Sequence, residues 1–160
     1  MTSAISSSKL WPGKLKNFAL VFLVLSLIGF ADATFLTVEH YRGVLVPCSL
    51  IEGCEKVLTS DYAEIGGLPV AFIGSIYYLA IFLLTFLFLT RGQKRLLLAA
   101  GRLAVLGFIV SLGFVFLQLF VIKAVCLYCL ASAVISTTLF VLFLILIKSK
   151  RQDTKELPTN

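Results

Sequence analysis

The stretch that decides the fold runs from Leu68 to Thr90 and reads LPVAFIGSIYYLAIFLLTFLFLT. It contains no charged residue, and its length matches the roughly 20 apolar residues that an α-helix needs to cross a bilayer. Three further apolar runs of similar length lie at Asn17 to Val38, Ala99 to Ile122 and Cys126 to Ile147. The sequence therefore predicts an all-α membrane protein, a bundle of four transmembrane helices.

Composition agrees with a bilayer environment. Of the 160 residues, 59% are hydrophobic and 14% are charged, whereas soluble domains have about 25% charged residues. The net charge of +6 does not indicate a nucleic-acid partner, because the basic residues flank the apolar runs instead of forming one basic face. We therefore expect lipid around the helices and no binding of nucleic acid.

The positions of the basic residues predict the orientation of the bundle. Most of them lie before the first run, between the second and third runs, or after the fourth: Lys9, Lys14, Lys16, Arg91, Lys94, Arg95, Arg102, Lys148, Lys150, Arg151 and Lys155. By the positive-inside rule both termini are cytoplasmic, and the loop at residues 39–67 faces outward together with the turn at Lys123. We expect a multi-pass protein of the cell (plasma) membrane.

A second interpretation of the N-terminus is a cleaved signal peptide. The basic start, the apolar stretch and Ala31-Asp32-Ala33 resemble such a peptide with its small-residue cleavage site. The apolar run continues to Val38, which favours a full span. A purified protein that begins at Thr34 would contradict the four-span prediction.

The polar ends and the outer loop complete the predicted organisation. Residues 1–16 and 149–160 are predicted to be flexible cytoplasmic tails around a transmembrane domain at residues 17–148. Within the outer loop, Cys54, Val57 and Leu58 have helical spacing. This spacing predicts a short helix at the membrane surface with Cys54 on its buried side.

The four cysteines form two pairs, both on the predicted outer side, where disulfides persist. Five residues separate Cys48 from Cys54, and two separate Cys126 from Cys129, so each pair is able to form a reversible disulfide. Cys126 lies at a predicted helix N-terminus just after Lys123, where the helix dipole and the cation favour the reactive thiolate. Cys129 lies one turn deeper, at the hydrocarbon boundary, where a lipid-soluble oxidant such as a quinone reaches it. The pattern predicts thiol–disulfide exchange.

Other interpretations of the cysteines stay open. Purely structural disulfides would fit a small four-helix transporter or scaffold. A zinc site is disfavoured, because the Cys48 to Cys54 gap exceeds the two to four residues usual within a zinc-binding pair. We therefore expect no metal.

These motifs resemble those of the vitamin K epoxide reductase family, specifically its bacterial and archaeal homologues. The resemblance covers the chain from the first span to the fourth, and rests on Cys48, on residues 54–60 (CEKVLTS), on residues 67–74 (GLPVAFIG) and on residues 126–129 (CLYC). It implies an electron relay in which the loop cysteines oxidise a periplasmic thioredoxin-like protein. The CLYC cysteines then reoxidise the loop pair and pass the electrons to a membrane quinone.

The resemblance also implies which residues form the site. The catalytic residues are Cys48, Cys54, Cys126 and Cys129, and a quinone of menaquinone, ubiquinone or phylloquinone type is expected against Cys129, Ser60, Phe72, Tyr77 and Tyr78. Val70 and Ala133 stand where vertebrate members have an asparagine and a tyrosine, which favours quinone reduction over epoxide reduction. Many bacterial relatives carry a fused thioredoxin-like domain for which this chain has no room, so we expect a separate partner. A different family of quinone-linked disulfide generators has the two cysteine spacings in the reverse order.

Two polar residues within the spans have open interpretations. Asp32 lies in the first span, where a charge costs about 2.5–3.5 kcal/mol. It is either a proton relay for quinone reduction or a hydrated structural carboxylate near the outer edge. Gln118 in the third span is predicted to form an interhelical hydrogen bond.

Overall fold

The structure, a computed structural model, describes residues 13–43 and 53–155. Its helices are α1 (Gly13–Arg42), α2 (Cys54–Leu58), α3 (Val70–Arg91), α4 (Lys94–Phe116) and α5 (Leu127–Lys155), and α4 continues into a π-helical segment, Leu117–Ile122. Two short strands, β1 (Glu64–Ile65) and β2 (Leu68–Pro69), lie between α2 and α3. Cys48 lies outside the described residues.

Four of these helices are long and apolar enough to cross a membrane: Leu15–Arg42, Val70–Arg91, Lys94–Ile122 and Leu127–Lys148. This confirms the predicted all-α bundle of four transmembrane helices. Helix α3 begins at Val70, and Pro69 with its extended backbone (φ −62°, ψ 134°) is the residue that precedes it. The structure also confirms the short helix in the loop, with Cys54 and Val57 on its buried side.

The bundle packs α1 against α3 and α4 against α5, with further contacts between α3 and α4 and between α1 and α5. Its central core is formed by Phe22, Tyr78, Ile81, Leu139 and Phe143. Small residues allow the close approaches that packing in lipid requires. At Gly107 in α4, an added Cβ would collide with the side chain of Tyr77 in α3.

A β-hairpin lies next to the C-terminal end of α1. Its strands pair antiparallel, with Ile65 opposite Leu68, and the turn between them is made by Gly66 and Gly67. Both glycines have left-handed φ angles, +62° and +82°, which favour glycine. A polar contact of 3.1 Å between His40 Nε2 and Glu64 Oε1 joins the hairpin to α1. Strands of two residues are too short to leave an alternating pattern, so the sequence did not predict them.

Candidate active site

Cys126 and Cys129 lie at the start of α5 and are free thiols. Cys126 directly precedes the helix, and its carbonyl accepts a hydrogen bond of 3.0 Å from the Leu130 N–H. The Cys129 N–H donates to Cys126 Sγ over 3.5 Å. A hydrogen bond from the Cys129 side chain, with further ones from the backbone at Cys129 and Tyr128, lowers the pKa of Cys126 to about 7 against the opposing effect of burial. Cys126 is therefore the CLYC sulfur better suited to thiol–disulfide exchange, because a thiol of lower pKa is also the better leaving group.

Gln118 holds the backbone of Cys126 in place. Its side-chain Oε1 accepts a hydrogen bond of 2.9 Å from the Cys126 N–H, and both residues are buried. The Gln118 carbonyl accepts hydrogen bonds from Lys123 and from Ala124, and Lys123 adopts a left-handed φ of 52°. The chain thus turns around Gln118 between the π-helical segment and α5. The predicted interhelical hydrogen bond of Gln118 is not seen among the described residues; its side chain instead accepts from the turn that precedes α5, because the chain folds back around it.

A cavity of about 420 Å³ lies between the four long helices and beneath α2 and the hairpin. This volume is within the range of about 300–1,000 Å³ that is usual for small-molecule sites. Most of its lining is apolar, and the polar residues that line it are Asp32, His40, Ser60, Tyr62, Tyr77, Tyr78, Ser111, Gln118, Cys129, Ser132 and Ser136. A mostly apolar cavity with polar groups in its wall suits a small, lipid-soluble molecule.

The two cysteines of the CLYC motif have different surroundings. Cys129 lines the cavity, as do Ser132 and Ser136 on the same face of α5. Cys126 is fully buried in a cluster with Cys54 and Val57 of α2, and Cys129 packs against the same cluster. Cys129 therefore lies between this cluster and the cavity, whereas Cys126 does not line the cavity.

Cys54 is 1% exposed and is disulfide-bonded. It lies at the start of α2, whose N-terminal neighbour Gly53 contacts the chain at Val125 so closely that an added Cβ would lie 2.5 Å from the Val125 carbonyl oxygen. Gly53 therefore allows α2 to pack directly on the start of α5. This packing brings Cys54 and Cys126 into one cluster.

The structure brings most of the predicted quinone-site residues to the cavity. Ser60, Tyr77, Tyr78 and Cys129 line it, whereas Phe72 does not and is 37% exposed on the outside of α3. The Ser60 hydroxyl donates to the Val57 carbonyl over 2.7 Å, within the turn that follows α2.

The two tyrosines differ in their hydrogen bonds. The Tyr78 hydroxyl is within 2.9 Å of the Ser132 carbonyl, 2.8 Å of the Ser132 hydroxyl and 2.9 Å of the Ser136 hydroxyl, so it ties α3 to α5. The Tyr77 hydroxyl is buried and has no partner at hydrogen-bonding distance, although Ser136 lies nearby. Tyr77 is therefore free to donate to a molecule in the cavity.

Asp32 is an acidic residue in the wall of the cavity. It lies in α1 and lines the cavity, and its Oδ2 is buried without a hydrogen-bond partner. The sequence indicated this residue by its charge within an apolar run. Within residues 13–43 and 53–155, no group of three or more His, Cys, Asp and Glu side chains is arranged to hold a metal ion.

The comparison with known families agrees with this geometry. The sequence model of the vitamin K epoxide reductase family matches residues 20–144, a range that includes all of the cavity and both cysteine pairs. A search of curated proteins finds no match to the chain. The family consists of membrane oxidoreductases that couple thiol–disulfide chemistry to quinones. The cysteines, the cavity and the sequence match together show that this multi-pass membrane protein belongs to the vitamin K epoxide reductase family.

Proposed function

We propose that the protein oxidises a separate, thioredoxin-like extracytoplasmic protein and reduces a membrane quinone, and so supports disulfide formation. The observation that carries the proposal is the position of the CLYC motif: Cys126 packs against Cys54, and Cys129, next to the same cluster, lines an apolar cavity. A relay between a water-soluble dithiol and a lipid-soluble acceptor needs one sulfur in contact with the loop cysteines and one in contact with the acceptor site. By the charge asymmetry of the loops, the site lies at the outer face of the plasma membrane.

Each step of the relay moves two electrons. The dithiol of the partner reduces the Cys48–Cys54 disulfide and becomes a disulfide itself. The loop dithiol, through Cys54, then attacks Cys126 of the oxidised CLYC pair, so that the loop disulfide forms again and two CLYC thiols result. Because Cys54 and Cys126 belong to one buried cluster, this exchange needs little movement of the loop helix.

The final step regenerates the CLYC disulfide. Its two thiols lose two electrons and two protons, and the quinone takes up both and becomes the hydroquinone. The Tyr77 hydroxyl supports the binding of a quinone in the cavity, because it has no hydrogen-bond partner among the described residues and is available to donate to a quinone oxygen. Val70 lines the cavity, so an apolar side chain replaces the asparagine expected for epoxide reduction.

The proposal is tested with purified protein in detergent, reduced thioredoxin-like protein as electron donor and a soluble quinone whose reduction is followed by absorbance. Alanine at Cys126 or at Cys129 should abolish the reaction. Val134→Ala is the matched control, because Val134 is a lipid-facing residue of the same helix, 65% exposed. Full rates in either cysteine variant would refute the proposed function.

The relay through the loop has its own test. Cys48→Ala should abolish turnover with the protein donor, because the loop disulfide no longer forms. The same variant should still reduce quinone when a small dithiol reaches the CLYC pair directly. Equal loss with both donors would contradict transfer from the loop to the bundle.

A further inference from the structure

Asp32 differs from Ser26 and Thr37, two other polar residues of α1. The hydroxyl groups of Ser26 and Thr37 donate to carbonyls of the helix itself, to Leu23 over 3.0 Å and to Ala33 over 2.7 Å. A carboxylate oxygen has no proton to donate in this way, and Asp32 Oδ2 is buried with no donor in reach. An unpaired carboxylate oxygen within a membrane span is costly, and such residues commonly serve in proton transfer.

The carboxylate shares the cavity with the CLYC motif. Asp32 and Cys129 both line this cavity, from the contacting helices α1 and α5. The tyrosine hydroxyls of Tyr77 and Tyr78 belong to residues that line the same cavity. The carboxyl group therefore borders the space in which a dithiol would reduce a quinone.

We propose that Asp32 carries a proton from the Cys129 thiol to a quinone oxygen. The inference rests on the proposed quinone reduction and adds the route of the proton. As the bond between Cys126 and Cys129 sulfurs forms, two electrons pass to the quinone. Asp32 accepts the proton released at Cys129 and donates it to a carbonyl oxygen of the quinone, so the residue ends each cycle in its starting state. Cys126 releases its proton to water, and the quinone takes its second proton from water.

The same face of α1 reaches the aqueous side. Asp32, Leu36 and His40 follow one another at intervals of four residues, and all three line the cavity. His40 is the last residue of this row; its Nε2 lies 3.1 Å from Glu64 Oε1 of the hairpin, and its side chain is 26% exposed. In the proposed cycle the second proton of the quinone enters from water at this partly exposed end.

The test compares Asp32→Asn with Asp32→Glu in single-turnover experiments. Enzyme with reduced CLYC thiols is mixed with a soluble quinone, and hydroquinone formation is followed. Asparagine keeps the size of the side chain but transfers no proton, so we expect the rate to fall by about 10²–10⁴, the usual contribution of a general acid or base. Glutamate keeps the carboxyl group and should restore part of the rate.

Thr34→Val is the matched control. Thr34 Oγ1 is another buried polar atom of α1 without a partner, but Thr34 does not line the cavity. This variant should reduce quinone at the wild-type rate, which separates proton transfer from a general effect of removing an unpaired polar atom from the helix.

A second oxidant separates proton transfer from a structural role. Diamide oxidises dithiols and takes its protons from water, so Asp32→Asn should lose less of its rate with diamide than with quinone, because only the quinone reaction needs a proton delivered within the cavity. Equal loss of rate with both oxidants would assign Asp32 a structural role and overturn the inference. Equal quinone rates in Asp32→Asn and active wild type would also overturn it and leave the proposed function intact. A wild-type protein that does not reduce quinone would instead refute the proposed function.

Discussion

Replacing Gly53 by alanine should uncouple the loop cysteines from the bundle. Gly53 precedes α2 and lies against Val125, the residue before Cys126. An added Cβ would lie 2.5 Å from the Val125 carbonyl oxygen and 2.7 Å from the Val125 nitrogen. Both are backbone atoms, so no side-chain rotation relieves the contact. Gly53 has a φ of −123°, which alanine adopts readily, so the steric contact alone determines the effect.

The size of the effect follows from these distances. Ordinary contacts begin at 3.4 Å, so α2 must move by about 0.9 Å away from the start of α5. Overpacking of this kind costs about 1–3 kcal/mol. A misplacement of about 1 Å between reacting groups lowers a rate by about 10²-fold. Because Cys54 moves with α2, we expect turnover with the thioredoxin-like donor to fall by about 10- to 100-fold.

The assay follows quinone reduction by purified Gly53→Ala protein with two electron donors. A small dithiol that reduces the CLYC disulfide directly should give the wild-type rate, since the cavity and Cys129 are unaffected. Gly113→Ala is the control, because no heavy atom lies within 4 Å of its added Cβ. The reasoning fails if Gly53→Ala matches Gly113→Ala with the protein donor, or if it slows both donors equally.

Three further variants test the hydrogen bonds that shape the site. In protein without the loop cysteines, Cys129→Ala should raise the pKa of Cys126 from about 7 toward its ordinary value, whereas Cys129→Ser keeps a donor and should raise it less. Thiolate absorbance at neutral pH is therefore lower in the alanine variant, and identical titrations of the two would exclude the side-chain hydrogen bond as the cause. Gln118→Leu leaves the Cys126 N–H unpaired and should lower the free energy of unfolding by about 1–3 kcal/mol. Gln118→Glu keeps a hydrogen-bond acceptor at this position. Equal stability of the two variants in denaturant titrations would refute the contribution of the hydrogen bond to Cys126. Tyr78→Phe removes the hydroxyl that joins α3 to α5 and should cost about 1–2 kcal/mol, and the exposed Tyr41→Phe serves as the control that should unfold like wild type.

The sequence was sufficient to predict the four spans and the short helix at Cys54. Hydrocarbon thickness sets the length of a membrane helix, so apolar runs of the right length identify spans without tertiary information. The small polar face of Cys129, Ser132 and Ser136 was also predictable, because few polar residues occur in a span and they point into the bundle. All three line the cavity.

The orientation of the apolar residues was not predictable. In a soluble helix a polar face marks the outside, but lipid is as apolar as the protein core, so both faces of α3 look alike in sequence. Phe72 was expected at the quinone and lies outside the cavity, whereas Tyr78 of the same helix is buried within the bundle. Only packing against neighbouring helices distinguishes such positions.

Cys129 lines the cavity and Cys126 does not, and this difference depends on where α5 begins. Residues three apart on a helix share a face, so a helix that included both cysteines would turn both sulfurs toward the cavity. Helix α5 begins at Leu127, and Cys126 belongs to the non-helical turn before it, where its side chain packs with Cys54 of α2 instead. Gln118 fixes this turn through the Cys126 N–H. The π-helical segment that places Gln118 there thus helps to hold Cys126 beside Cys54, while Cys129 lines the cavity.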